Sequence, residues 1–246
     1  MSFDLSFCVL VVIVLFAFVA EAATGFGSTI ISVTLGALIY PIGVLLAALV
    51  PVNVLVLTYL VARHHPHAHW TLIRGRILPW MGAGTLVGLV LLQCLAAPLL
   101  KDLFGVVVIG LAAREVLAWW WGPAGQRPLA PAAQRLSLFG AGVTHGLFAT
   151  GGPLLVYAVS RGGLRKAAFR STLAVVLLFL NVVLTIAYVV TGRFTAATVP
   201  YLAILVPVAA LGIVGGEWLH GRLPEDSFRA AIFALLGIAG VAALAG

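Results

Sequence analysis

The chain has little charge. Of its 246 residues, 14 are Lys or Arg and 7 are Asp or Glu, so charged residues make up 9%, against about 25% in a soluble domain. That is too little polar surface to cover a water-soluble globule of this length, and most soluble enzymes and binding modules are excluded. Cysteine is also scarce. Cys8 and Cys94 lie within or beside apolar stretches, which leaves no disulfide framework and no metal-binding pair. The net charge of +7 would suggest nucleic acid in a soluble chain. Here the basic residues sit between apolar runs, where they set membrane topology, so no nucleic-acid partner is expected. No nucleotide-hydrolysis motif and no nucleophile–base set is visible, so neither an enzyme nor a bound cofactor or metal is expected.

What the chain has in abundance is apolar sequence, at 63%. The reading is an all-α polytopic membrane protein, multi-pass in the cytoplasmic (inner) membrane. No basic segment precedes the first apolar run, so no cleavable leader is expected. A bilayer core needs roughly 20 apolar residues per crossing helix. Apolar segments run at 5–21, 28–39, 42–62, 76–94 and 98–119, then at 136–148, 153–162, 167–191, 197–219 and 227–245. The longest polar linker, 122–135, divides a first half (1–121) from a second (136–246), and Trp119, Trp120 and Trp121 mark its membrane edge. The whole chain is read as one transport domain.

Several segments are too short to cross. Residues 136–148 extend about 20 Å as a helix and 153–162 about 15 Å. Between them lies the helix-breaking run Ala149-Thr150-Gly151-Gly152-Pro153, and the first half has Ala23-Thr24-Gly25-Phe26-Gly27-Ser28 in the corresponding place. The simplest architecture is two inverted repeats, each a re-entrant broken-helix hairpin plus three transmembrane helices. Residues 5–21 are almost long enough to cross alone, the alternative for that element. With the N-terminus outside, every Lys and Arg except Lys101 and Arg193 falls in cytoplasmic loops, as the positive-inside rule asks. The second half then enters inverted, and the two hairpin tips are expected to meet at the bilayer midplane.

Paired broken helices in two halves point to a transport site. The turns that start the second limbs present unpaired N–H groups and a partial positive charge. Pro153 suits a first helical position. Glycines allow an anion close to the backbone. The candidate binding residues are therefore Gly25, Phe26, Gly27, Ser28 and Thr29 at the first tip, and Thr150, Gly151, Gly152 and Pro153 at the second. Tight turns or close helix packing are the plainer account of the glycines. Helix capping is the plainer account of the hydroxyls.

These two runs, with Gly146-Leu147-Phe148 before the second and Ala168-Phe169-Arg170-Ser171-Thr172 after it, resemble the TauE/SafE family of sulfite and organosulfonate exporters. The resemblance covers nearly the whole chain in layout. It departs at Phe26, Ser28 and Arg170, where the family often carries glycine. It implies a secondary permease for a small sulfur-containing anion such as sulfite, thiosulfate or a sulfonate. Alternating access is expected to arise by rocking one repeat against the other. A passive anion or small-solute channel is the alternative.

Other polar residues lie at membrane depth. Glu21 precedes Gly25 by four residues, where a carboxylate is costly enough to suggest function; it is a candidate proton-coupling group. His145 titrates near neutral pH in its ordinary state and is a second coupling or ligand candidate, against a packing role. Asn53 and Asn181 follow the two hairpins and are candidate donors to an oxyanion, against interhelical bonding. His64, His65, His67 and His69 form a tract of a kind that can bind metal. With no acidic or cysteine partner, it reads as a surface loop, and a metal-ion transporter is the third reading.

Overall fold

A computed structural model describes residues 4–24, 27–120, 129–160, 164–220, 236–237 and 240–241. Its elements are helical, and no strand occurs among the described residues. In chain order they are α1 (Leu5–Thr24), α2 (Ser28–Gly36), α3 (Ile42–His64) and a 3₁₀ turn (His65–His67). Next, α4 (Trp70–Leu72) runs through a π-helical turn (Ile73–Ile77) into α5 (Leu78–Cys94). Then come α6 (Ala97–Trp120), α7 (Pro131–Phe148), α8 (Gly152–Ser160), α9 (Lys166–Val190), a second 3₁₀ turn (Ala196–Thr198) and α10 (Val199–His220). Helices close their backbone hydrogen bonds within the segment, which a bilayer requires. Among the described residues five stretches are long and apolar enough to cross one: Leu5–Ala22, Ile42–Arg63, Trp70–Cys94, Ala167–Val190 and Ala196–Trp218. The protein is a multi-pass membrane protein.

Two short helices stand apart. Both α2 and α8 have nine residues, about 14 Å each, less than half of a bilayer core of about 30 Å. Their preceding partners differ from expectation. The 20 residues of α1 reach about 30 Å, enough to cross. The 18 residues of α7 reach about 27 Å, more than its apolar run 136–148 suggested. The helix starts at Pro131, because proline loses nothing at a first helical position, where its N–H would be unpaired.

The described chain forms two compact units. One comprises Met1–Leu46, Leu95–Gly125 and Ala203–Gly246; the other comprises Ala47–Cys94 and Gln126–Leu202. Each draws on both halves of the sequence. In the second unit α5 packs on α7 backbone to backbone. A Cβ on Gly142 would fall 2.1 Å from the Met81 carbonyl oxygen, and one on Gly146 2.3 Å from that of Thr85. Reciprocally, a Cβ on Gly84 would meet the Phe139 carbonyl and one on Gly88 the Val143 carbonyl. Two glycine pairs at i, i+4 spacing thus mesh, the small-residue packing that substitutes in lipid for a hydrophobic drive. In the first unit α1 meets α10 in the same way, with Gly212 against Leu15 and Phe18 and Gly216 against Val19 and Ala22.

Basic residues at helix ends lie over aromatic rings. Arg63 sits 5.5 Å from the Tyr59 ring, Arg74 5.4 Å from Trp70 and Arg135 5.7 Å from Trp80. Such pairs suit the headgroup layer, where aromatic belts and long basic side chains collect. The side chains of Trp119, Trp120 and Trp121 lie outside the described residues.

Candidate functional site

The first break separates α1 from α2. Gly25 and Phe26 fall outside the described residues. Gly27 precedes α2 with φ 111°, a backbone region that side chains on L-residues avoid. A Cβ there would meet nothing nearer than Ile30 Cγ2 at 3.9 Å, so this glycine is required by conformation rather than by space. Ser28 and Thr29 open α2 and are buried. Gly27 supplies no side-chain cap. The cap comes instead from Glu21, whose Oε2 accepts the Ser28 backbone N–H at 3.0 Å. Glu21 is 5% exposed and Ser28 1%. A carboxylate on a helix N-terminus meets both the unpaired N–H and the positive end of the helix dipole. The nominated coupling residue thus has a structural bond at the tip it was assigned to.

The second break, between α7 and α8, is built differently. α7 ends at Ala149 with φ 55°, and the Ala149 N–H donates to the His145 carbonyl. Gly151 is buried against α7: a Cβ there would lie 2.3 Å from the Ala141 carbonyl oxygen, 2.8 Å from His145 Cβ and 2.9 Å from Met81 Cε. This glycine makes room for the preceding helix. Gly152 and Pro153 open α8 and are buried. Among the described residues of this unit no carboxylate is buried. Instead, Thr150 Oγ1 and both ring nitrogens of His145 are buried with no hydrogen-bond partner inside the protein. A buried polar group left unmatched costs about 1–3 kcal/mol, and such groups are few in native structures.

Two further residues of this unit share that condition. Asn181 Oδ1 on α9 is buried without a partner, and exchanging the nearly identical amide O and N would present a donor at the same point. Tyr188, seven residues on and on the same face of α9 by helical spacing, has a buried hydroxyl that is also unmatched. Tyr188 escaped the sequence reading, since tyrosine near a helix end reads as a belt residue. Asn53 is buried on α3, two residues after the in-helix Pro51. In the first unit, Ser32 and Thr34 on α2 also carry buried, unmatched hydroxyls. Hydroxyls at i, i+4 from Ser28 were the available signal for Ser32.

The 168–172 stretch and the histidine loop have structural bonds. Thr172 Oγ1 accepts the His69 backbone N–H at 3.0 Å, and His69 Nδ1 accepts the Leu72 N–H at 3.2 Å as the cap of α4. His65 Nδ1 lies 3.2 Å from the Val61 carbonyl oxygen. Among the described residues no three His, Cys, Asp or Glu side chains converge as metal ligands would. Arg193, one of the two positives expected outside, donates to the Leu92 carbonyl near the end of α5 at 3.1 Å, where the helix dipole favours a cation.

A family model described as Sulfite exporter TauE/SafE matches residues 10–243, nearly the whole chain. No significant match was found among curated proteins or solved structures.

Proposed function

The chain belongs to the sulfite exporter TauE/SafE family, a family of membrane transporters and not of enzymes, and from that premise we propose that it is a secondary permease for a small sulfur-containing anion. Sulfite, thiosulfate and sulfonates are the substrate class. The cytoplasmic membrane is its location and protons are the coupling ion. The reading keeps two inverted repeats with broken-helix hairpins. The matching glycine contacts of α1 with α10 and of α7 with α5 support it, because each joins the first helix of one half to a crossing helix of the other.

The observation that carries the reading is the unmatched pair of donors at the second break, His145 and Thr150. A small oxyanion needs several donors in a dry setting and gains most where those donors have no other partner. Neutral donors suffice for a substrate that must also leave. Among the described residues no Lys or Arg is buried, so a bound anion would meet dipoles and not a fixed cation. Asn181 adds a third polar group on α9, and the glycine-rich start of α8 adds backbone N–H groups. Gly25, Phe26, Gly27, Ser28, Thr29 and Asn53 remain proposed contributors, with Glu21 and His145 as the coupling groups.

Purified full-length protein in proteoliposomes tests this. Sulfite flux and sulfite binding are expected. Thr150→Val should weaken binding about tenfold, the equivalent of one lost hydrogen bond of about 1.4 kcal/mol. A protein that neither binds nor moves sulfite or a sulfonate sinks the substrate class. Flux that is indifferent to a pH gradient, and unchanged by Glu21→Gln, favours the passive channel instead.

A further inference from the structure

The hydrogen bond from the Ser28 N–H to Glu21 Oε2 occupies a place in the first unit where an anion would be expected. α2 begins there and Gly27 offers no side chain to cap it. The bond is buried on both sides. One turn on, the Ser32 hydroxyl is 1% exposed and has no partner in the protein. Helical side chains lean toward the helix N-terminus, and Ser32 at i+4 shares the face of Ser28, so this hydroxyl is directed toward the same turn. Carboxylate, amide and idle hydroxyl together describe an anion subsite with the chain's own anion in it.

We propose that the Glu21 carboxylate is a tethered occupant of an anion subsite at the start of α2, and that substrate reaches the Ser28 amide and Ser32 hydroxyl by displacing it. The inference rests on the sulfur-anion reading above and adds how that substrate is linked to protons. An ionised carboxylate and a substrate anion compete for one N–H. The displaced carboxyl group loses its donor, stays in apolar surroundings, and takes up a proton from water as the anion binds. One anion and one proton therefore enter together, and the net charge of the site changes by zero.

The surroundings leave Glu21 free to act in this way. Among the described residues, the hydrogen bonds on its carboxyl come from Ser28. α2 carries no titratable side chain, nor does the 42–46 start of α3. The other acid near α1 is Asp4, which just precedes that helix and accepts the Phe7 N–H at its far end. On α10 the titratable side chains described are Tyr201 and the exposed Glu217, and on α6 they are Lys101, Asp102 and Arg114.

The test is binding of methanesulfonate, whose charge is constant across the working pH range, to full-length protein in nanodiscs at a series of pH values. Wild-type affinity should weaken by about tenfold per pH unit above the titration of Glu21, as linkage to one proton requires. Glu21→Gln, which keeps an oxygen for the Ser28 N–H but never ionises, should bind more tightly at high pH with a flat profile. Ser32→Ala should weaken binding in both backgrounds. Proton uptake on binding, near one per anion in weakly buffered solution, needs no variant and stands if Glu21→Gln fails to fold. Binding with no proton uptake at any pH of the series, or identical pH profiles in wild type and Glu21→Gln, overturns the competition while leaving the sulfur-anion reading in place. No binding of methanesulfonate or sulfite by any of the proteins overturns both.

Discussion

The two broken helices carry similar letters and opposite chemistry. At the first, the chain supplies its own anion: Glu21 reaches across seven residues to the Ser28 N–H, and Gly27 is present for its φ of 111°. At the second, no carboxylate is offered. His145 and Thr150 are buried with nothing to bond, and Gly151 is present for want of space beside the Ala141 carbonyl. At one break the chain caps the start of the second helix with its own carboxylate, and at the other it does not. A pair of similar motifs therefore need not hold a pair of similar sites, and the presence or absence of a carboxylate cap separates the two better than glycine content does.

The comparison can be broken most severely at the scaffold of the second break. Gly142→Ala sets a methyl group against the Met81 carbonyl and should cost about 3 kcal/mol or more, seen as loss of folded protein on size exclusion. Gly140→Ala, with open space around it, should be neutral or gain up to about 1 kcal/mol from helix propensity. Next come the glycines of the breaks themselves. Gly151→Ala should cost about 2 kcal/mol by crowding, and Gly151→Asn more, because asparagine is larger. Gly27→Ala should cost about 1–2 kcal/mol by strain, and Gly27→Asn less, since asparagine tolerates positive φ. Melting temperatures in detergent that rank alanine and asparagine alike at both positions would erase the distinction.

The caps give a smaller contrast. Glu21→Ala should lower stability by about 1 kcal/mol as a lost N-terminal cap. Thr150→Val should leave stability unchanged or raise it slightly, because it removes a buried hydroxyl that has no partner. If both lower the melting temperature equally, the two breaks do not differ in this way. Smallest of all is the histidine loop. His69→Ala should cost roughly 0.5 kcal/mol through the cap of α4, and replacing His64, His65, His67 and His69 together should leave sulfite flux unaltered.

The breaks were legible because glycine and proline interrupt apolar runs at fixed places, and Glu21 stood out because an acid at that depth is rare. Its bond was not legible, since seven residues and a turn of undetermined shape separate it from Ser28. The start of α7 at Pro131 was hidden by polar Gln134 and Arg135, which belong to a helix end rather than to the linker. Gly84 and Gly88, and Gly142 and Gly146, are visible as i, i+4 pairs. That they face one another is a tertiary fact about segments more than fifty residues apart. The unmatched state of His145, Thr150 and Asn181 is likewise a property of what surrounds them, and a sequence names a donor without naming what it fails to meet. Gly25 and Phe26 carry part of the resemblance but lie outside the described residues.

The meshed glycines of α5 and α7 also have a mechanical meaning. Side chains normally act as spacers on which two helices slide, each rotamer change yielding a little play. Here the backbones touch through carbonyl and Cα at Gly84, Gly88, Gly142 and Gly146, and nothing compressible lies between. The pair behaves as a single strut, with the second break fixed to its end. Beyond the strut the chain turns at the left-handed Ala149 and is held again at Gly151 against the Ala141 carbonyl, so play belongs further on, in the short α8.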